Sequence, residues 1–354
     1  KKNLIDQIYK EKNKDYVNYY YNLSNKIAGE SINSKINRLL KKIKSKNIDN
    51  IFISAPENVA WLLNLRGKDS PFSPIPNCKI ILTKNKKIYF FSCPLKIKNI
   101  KKIIPYNKFK FCEYKDFSET ISNLPGKSFC IDNLTCSSFN ESIVKSCFNV
   151  KSYIDPCYEM KSIKNLTEIK NMKNAHIKDG LALTKFIYWI KNNNHKNLTE
   201  ISAQNKLEKF RKLNKEYIFP SFNTIAGSGP NGAIIHYRAS KSSNRKISKK
   251  DIFLCDSGGQ YKYGTTDVTR TVCFNKPKKR IKNIFTRVLK GHIAVVTNDL
   301  NKVNKGHLID KKARASLNKI KLDYGHGTGH GVGFFSNVHE GPQSISKFNS
   351  VQLR

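Results

Sequence analysis

Leu254-Cys255-Asp256-Ser257-Gly258-Gly259 and Gly264-Thr265-Thr266-Asp267-Val268-Thr269-Arg270-Thr271-Val272 are two β-type stretches on either side of a Gly-containing turn. Folded back as a hairpin, they bring Asp256 and Asp267 towards one another across the ladder. Two carboxylates side by side repel, and one then stays protonated unless a cation sits between them. A hard divalent ion with oxygen ligands is the natural occupant. The same residues also admit a plainer reading, in which one Asp caps a turn and the other pairs with Arg270.

The next informative stretch is Tyr324-Gly325-His326-Gly327-Thr328-Gly329-His330-Gly331-Val332-Gly333, with glycine at every odd position from 325 to 333. A helix of that glycine density is costly, at roughly 1 kcal/mol per Gly relative to Ala. Read as a strand, its period of two puts His326, Thr328 and His330 on one face and leaves the other as bare backbone. Two His beside two Asp make a mixed nitrogen and oxygen donor set suited to Mn, Co, Fe or Zn.

Two further patches each offer a His next to a tight turn: Gly229-Pro230-Asn231-Gly232-Ala233-Ile234-Ile235-His236-Tyr237 and Asn337-Val338-His339-Glu340-Gly341-Pro342. Each is weak alone. Together the patches hold four of the eight histidines of the chain, at 236, 326, 330 and 339.

Outward from these strings, the chain divides. Residues 1–28 are rich in Lys, Asn and Tyr, show no clean periodicity, and read as a linker or the tail of a missing N-terminal domain. Ile32, Ile36, Leu39, Leu40 and Ile43 form one apolar stripe on a helix. Short β-rich runs follow at Ile51–Ser54, Lys79–Thr83, Ile88–Ser92 and Ser128–Ile131. A helix and then several strands imply a small α/β domain over 29–157. A second domain over 158–354 opens with Asn165 and Glu168 at capping-box spacing. Helices are expected there from Leu166 to about Lys191 and from Thr199 to Leu213.

The 354 residues carry 65 Lys+Arg against 26 Asp+Glu, a formal charge of +39. Charge of that size suggests polyanion binding. However, only ten of the basic residues are Arg and the lysines are dispersed, whereas nucleic-acid readers favour clustered Arg. No specific nucleic-acid partner is therefore expected. No stretch approaches the roughly 18 apolar residues of a membrane-spanning helix. Nine scattered cysteines without C-x-x-C spacing fit neither a disulfide scaffold nor a zinc ribbon, and point to the cytosol.

Taken together, FPSFNTIAGSGPNGAIIHY, LCDSGGQYKYGTTDVTRTV and DYGHGTGHGVGFFSNVHEGPQSIS resemble the Xaa-Pro aminopeptidases, the aminopeptidase P branch of the pita-bread metallopeptidases, in their long three-domain form. MKSIKNLTEIKNMKNAHIKDGLAL looks like the helix that opens the catalytic domain of that family, and NVAWLLNLRGKDSPFSPIPNCKIIL is similar to its middle domain. The resemblance implies a creatinase/prolidase N-terminal-like α/β domain followed by an α+β pita-bread catalytic domain. It implies hydrolysis of the bond before a proline in second position by a hydroxide bridging two divalent metals, Mn²⁺ first, in a homodimer. Asp256 would bind one metal bidentately, Asp267 would bridge both, and His330 would bind the second. His339 would stand beside the scissile carbonyl, and His236 and His326 would line the site around the proline, with His236 close enough to take part in catalysis.

The family completes its metal site with two glutamates beyond the NVHEGP segment. Residue 1 is Lys, Met160 and Met172 are the only methionines, and the sequence stops at Arg354. The reading is then of a fragment that lacks a first domain and the C-terminal end, holds three of five ligands, and has no turnover as residues 1–354 alone. Two rival readings are a non-catalytic pita-bread binding protein, with nucleic acid as a conceivable partner, and a metal-free amidinohydrolase. The presence of Asp256, Asp267 and His330 together favours the enzyme. Arg66, in Asn64-Leu65-Arg66-Gly67, reads as a turn residue.

Overall fold

The computed structural model describes residues 18–104, 108–192 and 197–354. Residues 18–28 hold a short strand, β1 (Tyr21–Asn22), and a helix, α1 (Asn25–Ala28), with Tyr20 and Leu23 buried. The predicted stripe is α2 (Ile32–Lys44), capped by Ser31, and it buries Ile36, Leu39, Leu40 and Ile43. The chain continues through β2 (Asn50–Ile53), α3 (Pro56–Leu62), β3 (Leu65–Arg66), β4 (Lys79–Thr83), β5 (Ile88–Phe91), α4 (Pro94–Ile103) and β6 (Phe109–Cys112). Then come α5 (Phe117–Ser122), β7 (Ser128–Ile131), α6 (Ser138–Lys145) and β8 (Asn149–Ser152).

Six of these strands make one mixed sheet in the order β6-β5-β4-β2-β7-β8. Apolar clusters cover both faces: Ile51, Ile53, Ile80, Leu82 and Phe90 on one side, Phe52, Ile81, Phe91, Phe129 and Ile131 on the other. Strands buried on both faces read as continuous apolar runs, which is why β2, β4, β5 and β7 are visible in sequence. The edge strands β6 and β8 are partly exposed and each is interrupted by a Lys, so they lack that signal.

Helix α7 (Pro156–Ser162) leads into α8 (Leu166–Asn192), whose start is the predicted capping box. The Asn165 amide donates to Glu168 Oε2 and the Glu168 amide to Asn165 Oδ1, both at 2.9 Å. Helix α9 (Glu200–Lys212) has Thr199 as its N-cap. After it come β9 (Tyr217–Pro220), β10 (Ile225–Ser228), β11 (Ile252–Ser257), β12 (Gly259–Tyr261), β13 (Gly264–Thr265) and β14 (Val268–Cys273). Helices α10 (Lys279–Val296) and α11 (Gly306–Asn318) and strands β15 (Gly329–Gly331) and β16 (Glu340–Ile345) complete the chain. Two three-stranded sheets, β10-β11-β14 and β13-β12-β9, and the β15-β16 pair give this part its α+β character.

One ion pair fastens the long helices to the hairpin. Asp179 of α8 and Arg211 of α9 are both fully buried, with Arg211 Nε 2.7 Å and Nη2 3.1 Å from the carboxylate oxygens. Tyr261 Oη and Thr266 Oγ1 also donate to Asp179, and Arg211 Nη2 reaches Ser257 Oγ at 3.0 Å. Removing one partner strands the other charge in the core. Asp179→Ala should therefore lower unfolding stability by about 3–5 kcal/mol, read as a fall in urea midpoint at unchanged slope.

Candidate functional site

The hairpin expected around the two Asp residues forms, and its register explains their meeting. Asp256 lies opposite Thr269 and Ser257 opposite Val268, and the same register continues through Gln260 opposite Thr265 and Tyr261 opposite Gly264. Directly opposed residues share a face, as do residues two apart. Asp256 and Asp267 are thus diagonal neighbours on one face. Gly258 allows the close approach: a Cβ there would lie 1.9 Å from the Thr266 carbonyl oxygen.

Asp256 is half-buried, and its Oδ1 is buried without a hydrogen-bond partner among the described residues. Burial pushes its carboxyl above the ordinary value, Thr269 works against this, and the charge of Asp267 reinforces it. His330 Nε2 stands 3.2 Å from Asp267 Oδ2, and the His330 and His339 rings meet edge to face at 4.1 Å between centroids. Burial disfavours the charged form of His330, but the bond to Asp267 and the Gly331 carbonyl outweigh it and raise its pKa. His339 is shifted the other way, by burial first and then by the neighbouring His330.

The expected strand through the glycine-rich stretch is shorter than its pattern. Only Gly329–Gly331 is strand, and residues 325 and 326 lie in a bend. The reason lies in α11, where Arg314 takes the carbonyls of Tyr324 and His326 with Nη1 and Nη2, at 2.7 and 2.6 Å. Thr328 Oγ1 donates to Asp310 at 2.6 Å, while its amide already pairs with the Ile345 carbonyl at 2.8 Å. His326 is exposed and lies outside the three-residue strand that carries His330. Its ring packs on Tyr324 at 4.8 Å and its Nδ1 meets the Gly327 carbonyl.

His236 is exposed, with φ 55°, and lies near enough to Asp256 and His339 to influence both electrostatically. Its turn is set by the fully buried Glu200 of α9. Oε1 of Glu200 accepts from the Ser228 amide and Asn231, and Oε2 from Tyr237 Oη and the Arg245 amide. The structure thus gathers Asp256, Asp267, His330 and His339 and sets His236 beside them, while the described contacts of His326 are with Tyr324, Gly327 and Arg314.

The donors suit a divalent transition ion. Donor atoms of Asp267, His330 and His339 lie within 4.8 Å of one another, the group found among the described residues that is close enough to share one ion. His330 Nδ1 lies 2.8 Å from the Gly331 carbonyl, which can only accept, so the ring proton belongs there. In the neutral ring, Nε2 then presents a lone pair towards the carboxylate of Asp267. Either a proton or a metal ion resolves that contact, and a fixed tautomer of this kind is how ligating imidazoles are held. The partnerless Asp256 Oδ1 is a further vacant donor beside them.

Sequence reasoning did not find the supports. Asp310 and Arg314 could have been noticed by their i,i+4 spacing on a helix. Glu200, Asp179 and the pairing of Glu340 with Lys161 and Lys164 carry no local signal.

With this geometry in view, comparison with known proteins is specific. Residues 12–168 match the Creatinase/Prolidase N-terminal domain and residues 170–354 match Metallopeptidase family M24. The chain is 37% identical to the Xaa-Pro aminopeptidase 1 of Dictyostelium discoideum, over 97% of its own length and 56% of that protein's. Against the Xaa-Pro aminopeptidase ApepP of Drosophila melanogaster it is also 37% identical, covering 97% of this chain and 57% of the relative. The chain therefore spans about half the length of the curated relatives it matches. The crystal structure of X-prolyl aminopeptidase from Caenorhabditis elegans, described as a cytosolic enzyme with a di-nuclear active site, superposes with a TM-score of 0.85 at 30% identity, covering 98% of this chain and 58% of that one. A Xaa-Pro dipeptidase from Bacillus anthracis shares the fold at 21% identity and a TM-score of 0.74, over 91% of this chain and 87% of that one. The fold is a creatinase N-terminal-like domain followed by a pita-bread domain, and the chain belongs to metallopeptidase family M24.

Proposed function

We propose that this chain carries the metal-binding part of an Xaa-Pro aminopeptidase, a hydrolase that removes the N-terminal residue from peptides with proline in second position. The observation that carries the reading is the buried, partnerless Asp256 Oδ1 beside Asp267, whose other neighbour is a His330 with its proton committed to a carbonyl. The proposed cofactor is two divalent ions, Mn²⁺ first, which when bound supply a water of lowered pKa and Lewis-acid polarisation of the scissile carbonyl. Asp256 and Asp267 are the proposed carboxylate ligands, Asp267 the shared one, and His330 the imidazole ligand. The proposed domains run over 29–157 and 158–354, and the proposed setting is a cytosolic homodimer without a specific nucleic-acid partner.

The roles of the remaining residues follow from their chemistry. His339 is exposed, lies against His330, and offers a ring N–H to a developing oxyanion. His236, on its Glu200-braced turn, is placed to hold the peptide around the proline and to assist proton movement. His326 lines the outer side of that space. Proline selectivity needs a pocket for the ring and for an imide nitrogen that has no N–H to donate.

Assayed as the product of the complete gene, the protein should cleave an Xaa-Pro peptide only after loading with a divalent metal. His339→Ala should lower kcat far more than it raises KM, because its hydrogen bond matters chiefly as charge develops. Equal turnover in that variant removes the role given to His339.

A second expectation concerns stability without metal. The carboxyl of Asp256 has its folded pKa above the unfolded one, so its ionisation destabilises the fold as pH rises through the folded value. Asp256→Asn should therefore raise Tm of the metal-free 354-residue chain at pH 7. The gain should vanish below about pH 4, where the wild-type group is protonated in both states. The same variant should bind less Mn²⁺ by calorimetric titration, and a lower Tm at neutral pH would contradict the vacant-donor reading.

A further inference from the structure

The segment from Gly333 to Glu340 joins β15, which carries His330, to β16, which begins directly after His339. It therefore decides how the two imidazoles meet. Gly333 N closes it internally on the Asn337 carbonyl at 2.9 Å. Its other anchors come from outside. Gln260 Nε2 donates to the Ser336 carbonyl at 2.8 Å, and the Ser336 amide donates to Thr265 Oγ1 at 3.1 Å. At its far end, the buried carboxylate of Glu340 pairs with Lys164 and, at 3.5 Å, with Lys161.

The anchor at the near end belongs to the large-sheet part of the molecule. Arg66 of β3 is only 2% exposed, and its Nε and Nη2 donate to the carbonyls of Phe335 and Phe334 at 2.5 and 3.0 Å. Its Nη1 is taken by the carbonyls of Leu65 and Ala60 at 2.8 and 3.1 Å. Among the described residues all four bonds go to main-chain oxygens and none to a carboxylate, although a buried guanidinium is ordinarily kept with a bonded counter-ion. Phe335 has φ 44°, in the left-handed region that a bulky side chain avoids. The two carbonyls thus converge on the guanidinium fork from a backbone bend that the segment would not hold unaided. A turn role alone would be met by the bonds to Ala60 and Leu65, and leaves the pair to Phe334 and Phe335 unexplained.

We infer that Arg66 is a positioning residue for His339: its guanidinium fixes the Phe334–Phe335 bend and thereby sets His339 against His330. The large-sheet domain then contributes directly to the site through one buried cation. Only the consequence for turnover rests on the peptidase reading; the placement of the two rings does not.

The test uses the 354-residue chain, deuterated except at its histidines. The His330 and His339 rings should show a nuclear Overhauser effect between them in the wild type, as centroids 4.1 Å apart require. In Arg66→Gly, with the fold verified by circular dichroism, that effect should fall several-fold, and millimolar guanidinium should restore it. Arg66→Lys keeps the charge but lacks the planar fork, and should show the same fall. A folded variant of either kind with the Overhauser effect undiminished overturns the proposal. So does a fall in Arg66→Gly that guanidinium leaves unrepaired, since that assigns Arg66 to general stability. If Arg66→Gly does not fold, Arg66→Lys decides alone: an undiminished effect overturns the proposal and a several-fold fall supports it. In the complete gene product the same variants should lower kcat several-fold with KM little changed. If the ring-to-ring effect falls and is rescued in a protein without peptidase activity, the peptidase reading sinks and the positioning role stands.

Discussion

The buried pair of Asp179 and Arg211 is the constraint on which the second half of the molecule depends. Both side chains are withdrawn from solvent, so neither can tolerate the absence of the other. Their hydrogen bonds run to Ser257, Tyr261 and Thr266, residues of the same hairpin that carries Asp256 and Asp267. The pair therefore does more than join two helices. It ties the end of the hairpin that carries both aspartates to those helices, through Ser257 and Thr266, which adjoin Asp256 and Asp267.

The same device recurs around the site with other charges. Glu200, buried under β10, collects four donors and shapes the turn before His236. Arg314 and Asp310 hold the glycine-rich stretch, and Lys161 with Lys164 holds Glu340 next to His339. In each case a buried, hydrogen-bonded polar group stands behind one of the candidate site residues. That division has a physical basis: an atom that is to meet a ligand must keep its lone pairs vacant, and it cannot also satisfy the backbone that carries it. Support comes from behind, from residues outside the candidate site.

The two halves of the chain differ in what holds them. The large sheet is an apolar construction, with both faces covered and β2 and β5 buried along their whole length. The later part has smaller sheets and only a modest apolar cluster around Phe186, Leu207 and Phe253, and relies more on polar networks. Arg66 crosses between them, and its place in β3 makes the first a neighbour of the site in the second.

The sequence by itself determined whatever is encoded locally. The stripe from Ile32, the apolar runs of β2, β4, β5 and β7, the Asn165 capping box and the hairpin between Asp256 and Asp267 are properties of neighbouring residues, and all were legible. So was the family, because its strings keep their wording. Tertiary structure decided what distant residues impose. It shortened the strand around His330, since Arg314 draws the carbonyls of Tyr324 and His326 away from the ladder. It made a glutamate on α9 the support of His236, and a turn-like arginine the brace of Phe334 and Phe335. Period and propensity describe how a segment would fold among equals. A buried charge must find its partners wherever the chain happens to pass, and no local pattern records where that will be.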